Sequence, residues 1–344
     1  MEALAFFTEP FLGQPGWAWL LFGAIVVALL VFDLGVLHRK EREIPVGESL
    51  LLSAGYIGVA VVFGGWGWWQ LGPQSGMDYF TGYLIEKTLS LDNVFVISLI
   101  FTALAVPRAL QHRVLFYGIL GVVVMRAIVI GFGTSLVNEF EWVLFLFGAF
   151  LIFTGIKMLR SVGNTEDIRE SRLLRFFQKR LRLTEGLRGR AFVVREPDAT
   201  GRLRLYATPL LLALIMVELV DVIFAVDSVP AILAITTDPY IVYTSNIFAI
   251  LGLRALYFAL AATVHRFHYL KYALAIVLVF IGAKIFWNHV FGKVDPAISL
   301  GVTVALLAGG ILYSLWRTRG GGHDGATGDA AALPPGPAPQ GREA

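Results

Sequence analysis

The sequence predicts an all-α, polytopic membrane protein, and three features of its composition point to that class. Of 344 residues, 57% are hydrophobic and 15% are charged, against roughly 25% charged in soluble globular proteins. The mean hydropathy is +0.71, and eight Trp, 26 Phe and 36 Gly suit a bilayer and its interfaces. The composition excludes a soluble domain, and the absence of cysteine excludes disulfides, thiolate metal sites and cysteine nucleophiles.

Nine apolar stretches are long enough to cross the hydrocarbon core, for which a helix needs about 20 residues. In chain order the predicted spans are Trp17–Leu37, Leu51–Leu71, Tyr79–Leu104, Val114–Phe132, Trp142–Leu159, Thr208–Ile235, Ile241–Val264, Tyr272–Phe291 and Ala297–Trp316.

Basic residues mark the span ends that face the cytoplasm. Arg39, Lys40 and Arg42 follow the first span, and the connector after the fifth carries twelve Lys or Arg against six Asp or Glu between Arg160 and Tyr206. The loops after the second and fourth spans contain no Lys or Arg. Each odd-numbered span therefore exits to the cytoplasm, which places the N-terminus outside and the C-terminus inside.

This orientation divides the chain into four parts. Residues 1–159 form a first membrane half with spans one to five, and residues 160–207 form a basic cytoplasmic connector. Residues 208–317 form a second membrane half with spans six to nine. Residues 318–344 form a cytoplasmic tail that is rich in Gly, Pro and Ala, and we expect this tail to be disordered.

The connector has the pattern of a membrane-surface segment. Glu166–Leu183 reads as a basic amphipathic helix that would lie on anionic lipid headgroups, although a solvated connector fits the same pattern. Ala191–Glu196 and Arg202–Ala207 flank a turn and predict a β-hairpin. A basic loop inside an apolar chain indicates a membrane surface and not nucleic acid.

Eleven Asp, Glu, Lys or Arg residues fall inside the predicted spans, where each central charge costs at least about 2.5 kcal/mol. They are Asp33, Glu86, Lys87, Asp92, Arg126, Lys157, Glu218, Asp221, Asp227, Arg254 and Lys284. One interpretation is structural, with Arg126, Arg254, Lys157 and Lys284 as counter-charges in buried ion pairs. The acids outnumber these partners and cluster on the third and sixth spans, which favours a functional site.

Three pairs of spans share polar motifs in the same order. Glu86 and Asp92 in the third span align with Asp221 and Asp227 in the sixth, and both pairs are followed by a small polar residue and Val. The fourth and seventh spans share Arg-Ala, at Arg126 and Arg254, and the fifth and eighth share Phe-x-Gly-x-Lys. Because each unit has three spans, the second is inverted, which predicts the 3+3 inverted repeat of many secondary transporters.

In such a plan the binding site lies near the midplane, often on broken helices. Pro230 follows Asp227 closely and Gly82 precedes Glu86, so both helices are expected to break there. Residues six apart on an intact helix lie about 9 Å apart along the axis and do not share a face. Local unwinding would turn both carboxylates of each pair toward one ion.

The candidate ligands are hard oxygen donors. The predicted metal site comprises Glu86, Asp92, Asp221 and Asp227, with Asn93 and Ser228 beside them, and Asn246 and Ser90 as further candidates. Glu218, one turn before Asp221, is a further ligand or a proton carrier. Oxygen ligands suit Mg²⁺, Ca²⁺ and Mn²⁺. Arg126 and Arg254 would hold the empty site together, which favours alternating access over an open channel.

Two runs of residues identify a family resemblance. Glu86-Lys-Thr-Leu-Ser-Leu-Asp92-Asn-Val-Phe and Phe224-Ala-Val-Asp227-Ser228-Val-Pro230-Ala-Ile, with the connector leading to Tyr206-Ala-Thr-Pro209-Leu, resemble the TerC/Alx family of bacterial integral membrane proteins, named for tellurium resistance. The likeness covers most of Trp17–Trp316. The family is similar to the lysine-exporter-like superfamily, and its members are linked to manganese export and to tellurite or alkaline-pH responses.

The resemblance implies a manganese or related divalent-cation exporter of a bacterial inner membrane, with Mn²⁺ or Ca²⁺ as cargo and no permanent cofactor. Exchange of metal for protons is expected, since metal ligands must be deprotonated. The alternative is a non-transporting scaffold of a tellurite or envelope stress complex. We do not expect an enzyme, because no Gly-x-Gly-Asp run, intramembrane Ser-His arrangement or phosphate loop is present. The oligomeric state is left open, a homo-oligomer included.

Overall fold

The computed structural model describes residues 10–37, 45–161, 172–197, 201–260 and 270–319. The helices in this part of the chain are α1 (Gly16–Leu37), α2 (Val46–Leu71), α3 (Pro73–Ala103), α4 (Arg108–Glu139), α5 (Val143–Ser161), α6 (Arg172–Arg180), α7 (Pro209–Leu233), α8 (Pro239–Leu251), α9 (Leu253–Leu260), α10 (Leu270–Phe291) and α11 (Pro296–Arg319). The strands are β1 (Pro10–Phe11), β2 (Gln14–Pro15), β3 (Val193–Pro197) and β4 (Leu203–Ala207). The tail that we expect to be disordered lies outside the described residues from residue 320 onward.

The predicted spans coincide with these helices, and the last four residues of the seventh predicted span, 261–264, lie outside the described residues. In the described chain eight spans are long and apolar enough to cross a membrane, and α8 and α9 together make one of them. The predicted third span corresponds to α3, which is 31 residues long but carries Glu86, Lys87 and Asp92. The all-α class and the multi-span architecture are therefore confirmed.

Proline and aspartate determine where several spans begin. Pro73, Pro209 and Pro239 lie in the first turn of α3, α7 and α8, where a proline loses no helical hydrogen bond. At α8 the side chain of Asp238 also caps the helix, because its Oδ1 accepts a hydrogen bond from the Tyr240 amide at 2.9 Å. These signals are local, so the span starts follow from sequence.

The expected helix breaks at Pro230 and Gly82 are wrong. Helix α7 continues through Pro230 to Leu233, so the loss of the proline's own hydrogen bond does not end the helix before its last turn. Gly82 lies inside the continuous helix α3 and allows close packing instead: a Cβ there would lie 2.8 Å from Cδ1 of Ile232. The break occurs in the seventh span, where Gly252 separates α8 from α9.

The connector docks onto the ends of membrane helices. Its β-hairpin pairs β3 with β4 in antiparallel register, from Val193 opposite Ala207 to Pro197 opposite Leu203, as the sequence predicts. The predicted amphipathic helix is present as the shorter α6, and residues 166–171 of the prediction lie outside the described chain. Leu174 of α6 is buried in a cluster with side chains of α3, α4 and α7.

The helix contacts have the pattern that an inverted repeat would produce. Helix α4 packs on α7, and its counterpart α8 packs on α3; α5 packs most extensively on its own counterpart, α10. At that interface Gly155 of α5 and Gly282 of α10, the glycines of the two Phe-x-Gly-x-Lys motifs, both face the backbone of the opposite helix. These contacts support the repeat, which stays a prediction, as does the orientation in the membrane.

Candidate cation site around Arg126

The guanidinium of Arg126 is enclosed by oxygen atoms in the centre of the helix bundle. Its side chain is 1% exposed. Nη1 donates hydrogen bonds to Oε1 of Glu86 at 2.7 Å, to Oγ of Ser228 at 2.9 Å and to Oδ1 of Asn246 at 3.1 Å. Nε and Nη2 donate to the two carboxylate oxygens of Asp221, each at 3.1 Å. The arginine thus bridges the two carboxylates that the predicted repeat makes equivalent.

Two asparagine side chains also donate hydrogen bonds to these carboxylates. Asn246 Nδ2 donates to Oε2 of Glu86 at 3.2 Å, and Asn93 Nδ2 donates to Oδ1 of Asp221 at 3.4 Å. Asn246 is fully buried and Asn93 is 3% exposed. Because each amide uses one end to fix a carboxylate, the acid oxygens keep one orientation around the guanidinium. We call these six residues, Glu86, Asn93, Arg126, Asp221, Ser228 and Asn246, the Arg126 cluster.

Four helices supply the Arg126 cluster, and their sequences explain how they meet. Asp221 and Ser228 lie seven residues apart on α7, which is two turns and therefore one face. Glu86 lies one turn after Gly82, so the missing side chain lets α7 approach α3 beside the site. Asn246 comes from α8, which packs on both α3 and α4.

With both of its acids ionised, the Arg126 cluster carries an excess of negative charge. Two carboxylates face one guanidinium, and all three side chains are at most 7% exposed. Such an arrangement is costly in a membrane unless the charges pair and their remaining bonds are satisfied. The cluster satisfies the guanidinium but leaves one negative charge in excess.

The other predicted ligands lie apart from this cluster. Asp227 is half-buried and faces α5, where Thr154 Oγ1 donates to its Oδ1 at 3.4 Å. An unbroken α7 turns Asp221 and Asp227 toward different neighbours, so the expected joint coordination by these two acids is not present. Asp92 lies on α3, and its side chain is outside what the structure describes. Among the described residues, no three Asp, Glu or His side chains are placed to hold one metal ion.

Glu218 packs beside the Arg126 cluster on α7. Its carboxylate lies against Gly121 of α4, the position where a Cβ would collide with it. Oε2 of Glu218 is buried and has no hydrogen-bond partner among the described residues. A partly buried acid without a partner is suited to carry a proton, as the sequence suggests.

The remaining predicted counter-charges have different surroundings. Arg254 is 3% exposed and pairs with Asp33 of α1, which also accepts a hydrogen bond from the Tyr56 hydroxyl at 3.0 Å. Lys284 donates to Oγ of Ser299 in α11 at 3.0 Å, whereas Lys157 is exposed. Arg126 is therefore the cation that the described chain places between the predicted site acids.

A cavity of about 20 Å³ lies beside the Arg126 cluster and is lined by Asn93, Asp221 and Arg254 among apolar side chains. This volume accommodates about one water molecule. Oδ1 of Asn93 is buried without a hydrogen-bond partner in the described chain, so it can accept a bond from a group in this cavity.

Two residues make contacts that the sequence does not predict. Asn246 was only a further candidate, yet it bonds both Glu86 and Arg126. Lys87 was not assigned a role, and its Nζ donates to the Ala249 carbonyl at 3.1 Å, near the helix break at Gly252. The available signal was weak: a single Asn in an apolar span and a Lys beside a site acid.

Comparisons with known proteins place these features in a family. The model of the "Integral membrane protein TerC family" matches residues 71–321. An "Uncharacterized membrane protein" of Rickettsia felis is 47% identical over 300 residues, covering 87% of this chain and 98% of that protein. "Uncharacterized membrane protein STKORF319" of Myxococcus xanthus is 46% identical over 312 residues, covering 91% and 96%. "Putative membrane-bound redox modulator Alx" of Escherichia coli K12 is 43% identical over 315 residues, covering 87% and 96%. No solved structure matches the chain.

Proposed function

Because the chain belongs to the integral membrane TerC family, we propose that it is a secondary transporter that exports a divalent cation, with Mn²⁺ as the first candidate, across a bacterial inner membrane. The transport site is the Arg126 cluster. Family membership supplies the multi-span architecture, and the chemistry of the site supplies the substrate class.

The position of Arg126 Nη1 is the observation that carries this proposal. Three oxygens from three different helices, those of Glu86, Ser228 and Asn246, lie between 2.7 and 3.1 Å from this one positive nitrogen. A carboxylate, a hydroxyl and an amide carbonyl are also the donors that Mn²⁺, Mg²⁺ and Ca²⁺ prefer. These three oxygens therefore suit a cation. A metal ion would bind in the place that the guanidinium occupies.

Charge favours a divalent ion over a monovalent one. Glu86 and Asp221 together carry two negative charges when both are ionised, and one divalent cation neutralises them. For the ion to enter, Arg126 must withdraw from the two carboxylates. The arginine then acts as the counter-charge of the empty site, which couples ion binding to a change of conformation, as alternating access requires.

Glu218 provides a route for proton coupling. It lies one turn before Asp221 and has a buried oxygen without a hydrogen-bond partner in the described chain. Metal binding requires deprotonated carboxylates, so a neighbouring acid that takes up protons links metal release to proton movement. The transporter is accordingly proposed to exchange the metal ion for protons.

The proposal predicts that the two acids of the Arg126 cluster are required for transport. In inverted membrane vesicles with an imposed proton gradient, the unmodified protein should accumulate Mn²⁺. Glu86→Gln and Asp221→Asn should each reduce the initial rate at least ten-fold, because each removes one charged ligand. Asp92→Ala and Asp227→Ala, measured alongside, test whether the acids outside the Arg126 cluster belong to the ion path.

Asp78→Asn is the matched control, since Asp78 is a buried acid of the same helix α3 whose partner is Gln74. This variant should retain Mn²⁺ uptake. All variants must be present in the membrane at equal amounts by quantitative blotting. Background uptake by the unmodified protein, for Mn²⁺ and Ca²⁺ alike, would overturn the transporter assignment, and full uptake by Glu86→Gln and Asp221→Asn would overturn the site.

The name of the Alx relatives refers to redox modulation. The composition of this chain excludes one kind of redox chemistry. The chain has no cysteine, so thiol–disulfide chemistry is unavailable to it. Under the proposed function, a redox effect would follow from altered metal levels in the cell.

The scaffold alternative has one observation in its favour, the exposed apolar face of the β-hairpin. Val193, Leu203 and Leu205 lie on one face of the hairpin and are 46%, 71% and 61% exposed. A scaffold role predicts that Leu203→Ser with Leu205→Ser abolishes stress resistance while Mn²⁺ uptake is unchanged. The transporter role predicts the opposite for Asp221→Asn, so the two variants together separate the functions.

A further inference from the structure

Helix α6 is attached to the membrane bundle along one stripe of its surface. Leu174 is 3% exposed, and Phe177 and Leu181 pack against the same cluster, which includes Val106 after α3 and Leu210 at the start of α7. The spacing of 174, 177 and 181 places these side chains on one face. Because that face covers the ends of spanning helices, α6 lies at the level where the bundle meets the bilayer surface.

The opposite surface of α6 combines apolar and basic side chains. Leu173 is 40% exposed and Phe176 is 54% exposed. Arg175, Lys179 and Arg180 are exposed beside them and form no ion pair with an acid of the described chain. Two large apolar groups among three basic groups would be unfavourable facing water alone.

We propose that this outer face of α6 binds the anionic lipid headgroups of the leaflet beside it, with Leu173 and Phe176 inserted between the lipids. Apolar anchors flanked by Lys and Arg are the pattern of helices that lie in the plane of a membrane interface. The basic residues are attracted to acidic lipids, which are concentrated at the cytoplasmic leaflet. The position of α6 at the ends of α3 and α7 places this surface beside the lipid headgroups.

Binding at α6 would be transmitted to the transport site. The connector holds the first turn of α7 at Thr208, whose Oγ1 donates to the Ala191 carbonyl at 2.8 Å and whose amide donates to the Phe192 carbonyl at 3.0 Å. Helix α7 carries Asp221 and Ser228 of the Arg126 cluster. The connector that contains α6 is therefore hydrogen-bonded to the start of the helix that supplies two residues of the Arg126 cluster.

The test uses the full chain in nanodiscs of defined lipid. Since the chain has no cysteine, Phe176→Cys can be labelled at this position alone with a polarity-sensitive fluorophore. In discs containing phosphatidylglycerol the emission should shift to shorter wavelength and be quenched by lipid-borne quenchers, and pure phosphatidylcholine discs should show neither effect. High salt should reverse the shift, because exposed charges are screened.

Neutralising part of the basic surface supplies the quantitative test. Arg175→Gln with Lys179→Gln should lower the ratio of lipid-bound to lipid-free α6 about thirty-fold. Each basic residue near an acidic surface contributes roughly five-fold to this ratio. Arg195→Gln with Lys293→Gln removes the same charge from exposed sites elsewhere and should leave the ratio unchanged. An emission wavelength that does not change with the charge of the lipid would overturn the proposal. Equal effects of the two double variants on the ratio would overturn it too. Neither result depends on whether the protein transports an ion.

Discussion

Arg126 illustrates how one residue can hold a membrane site together before its ligand arrives. Its guanidinium is the positive group between Glu86 and Asp221, and it also uses the oxygens of Ser228 and Asn246. Replacing the arginine alone would leave two carboxylates buried without compensation. That state is far more costly than the loss of a few hydrogen bonds.

At this residue we predict a stability difference between two variants. Arg126→Gln should lower the free energy of unfolding by about 3–5 kcal/mol, the usual cost of breaking a buried pair from one side. A triple variant, Arg126→Gln with Glu86→Gln and Asp221→Asn, removes all three charges and should regain most of that loss. Thermal unfolding in detergent measures both.

The comparison also tests the role of the charges. If the triple variant is as unstable as Arg126→Gln, the side chains matter through packing and not through charge compensation. Tyr56→Phe is a control at the second ion pair, where it removes one hydrogen bond to Asp33 and should cost about 1 kcal/mol.

At the scale of elements, α5 and α10 form the most extensive helix–helix contact in the described chain. A Cβ on Gly155 would lie 2.7 Å from the Ala275 carbonyl oxygen, and a Cβ on Gly282 would lie 2.6 Å from the Gly148 carbonyl oxygen. Both contacts are with backbone, which cannot move aside as a flexible side chain would. The glycines of the two repeated motifs therefore bring the two helices together.

We predict that Gly155→Ala destabilises the protein by about 1–3 kcal/mol, the usual cost of overpacking. Gly301→Ala on α11 is the matched control, because a Cβ there meets no atom within 4 Å. The control should be neutral or stabilising by up to about 1 kcal/mol, since Ala favours the helix. Equal effects of the two changes would show that the α5–α10 contact is looser than described.

The elements were largely predictable from local sequence, and the exceptions share one cause. Apolar length predicts the spans, and two short segments on either side of the turn Pro197–Gly201 predict the hairpin. The expected breaks at Pro230 and Gly82 are wrong because the effect of a Pro or Gly depends on its distance from the helix end and on its neighbours. The break at Gly252 had no stronger local signal than the glycines within continuous helices.

For the whole molecule, the helices outside the predicted repeat account for the different surroundings of its matched residues. Arg126 and Arg254 are equivalent in sequence, but Arg254 pairs with Asp33 of α1. Lys157 and Lys284 are equivalent too, but Lys284 is buried because Ser299 of α11 accepts its hydrogen bond. Contacts with helices α1, α2 and α11 thus give the matched residues different partners.

The predicted orientation can be tested on the intact molecule, since every introduced cysteine is unique. Asn138→Cys and Lys293→Cys should react with a membrane-impermeant maleimide on intact cells, because Asn138 in the last turn of α4 and Lys293 after the end of α10 are both exposed and lie at span ends predicted to be outside. Gln178→Cys on α6 should react only after the cells are opened. Labelling of Gln178→Cys on intact cells would contradict the positive-inside assignment.

The sequence by itself determined the class, the spans, the acids worth attention and the family resemblance. These depend on hydropathy, on charges that are costly in lipid and on short motifs, all of which are properties of neighbouring residues. Only the tertiary structure decided which acids share a partner. Glu86 and Asp221 meet at Arg126 while Asp227 faces Thr154, because continuous helices point residues six apart to different neighbours and packing selects those neighbours.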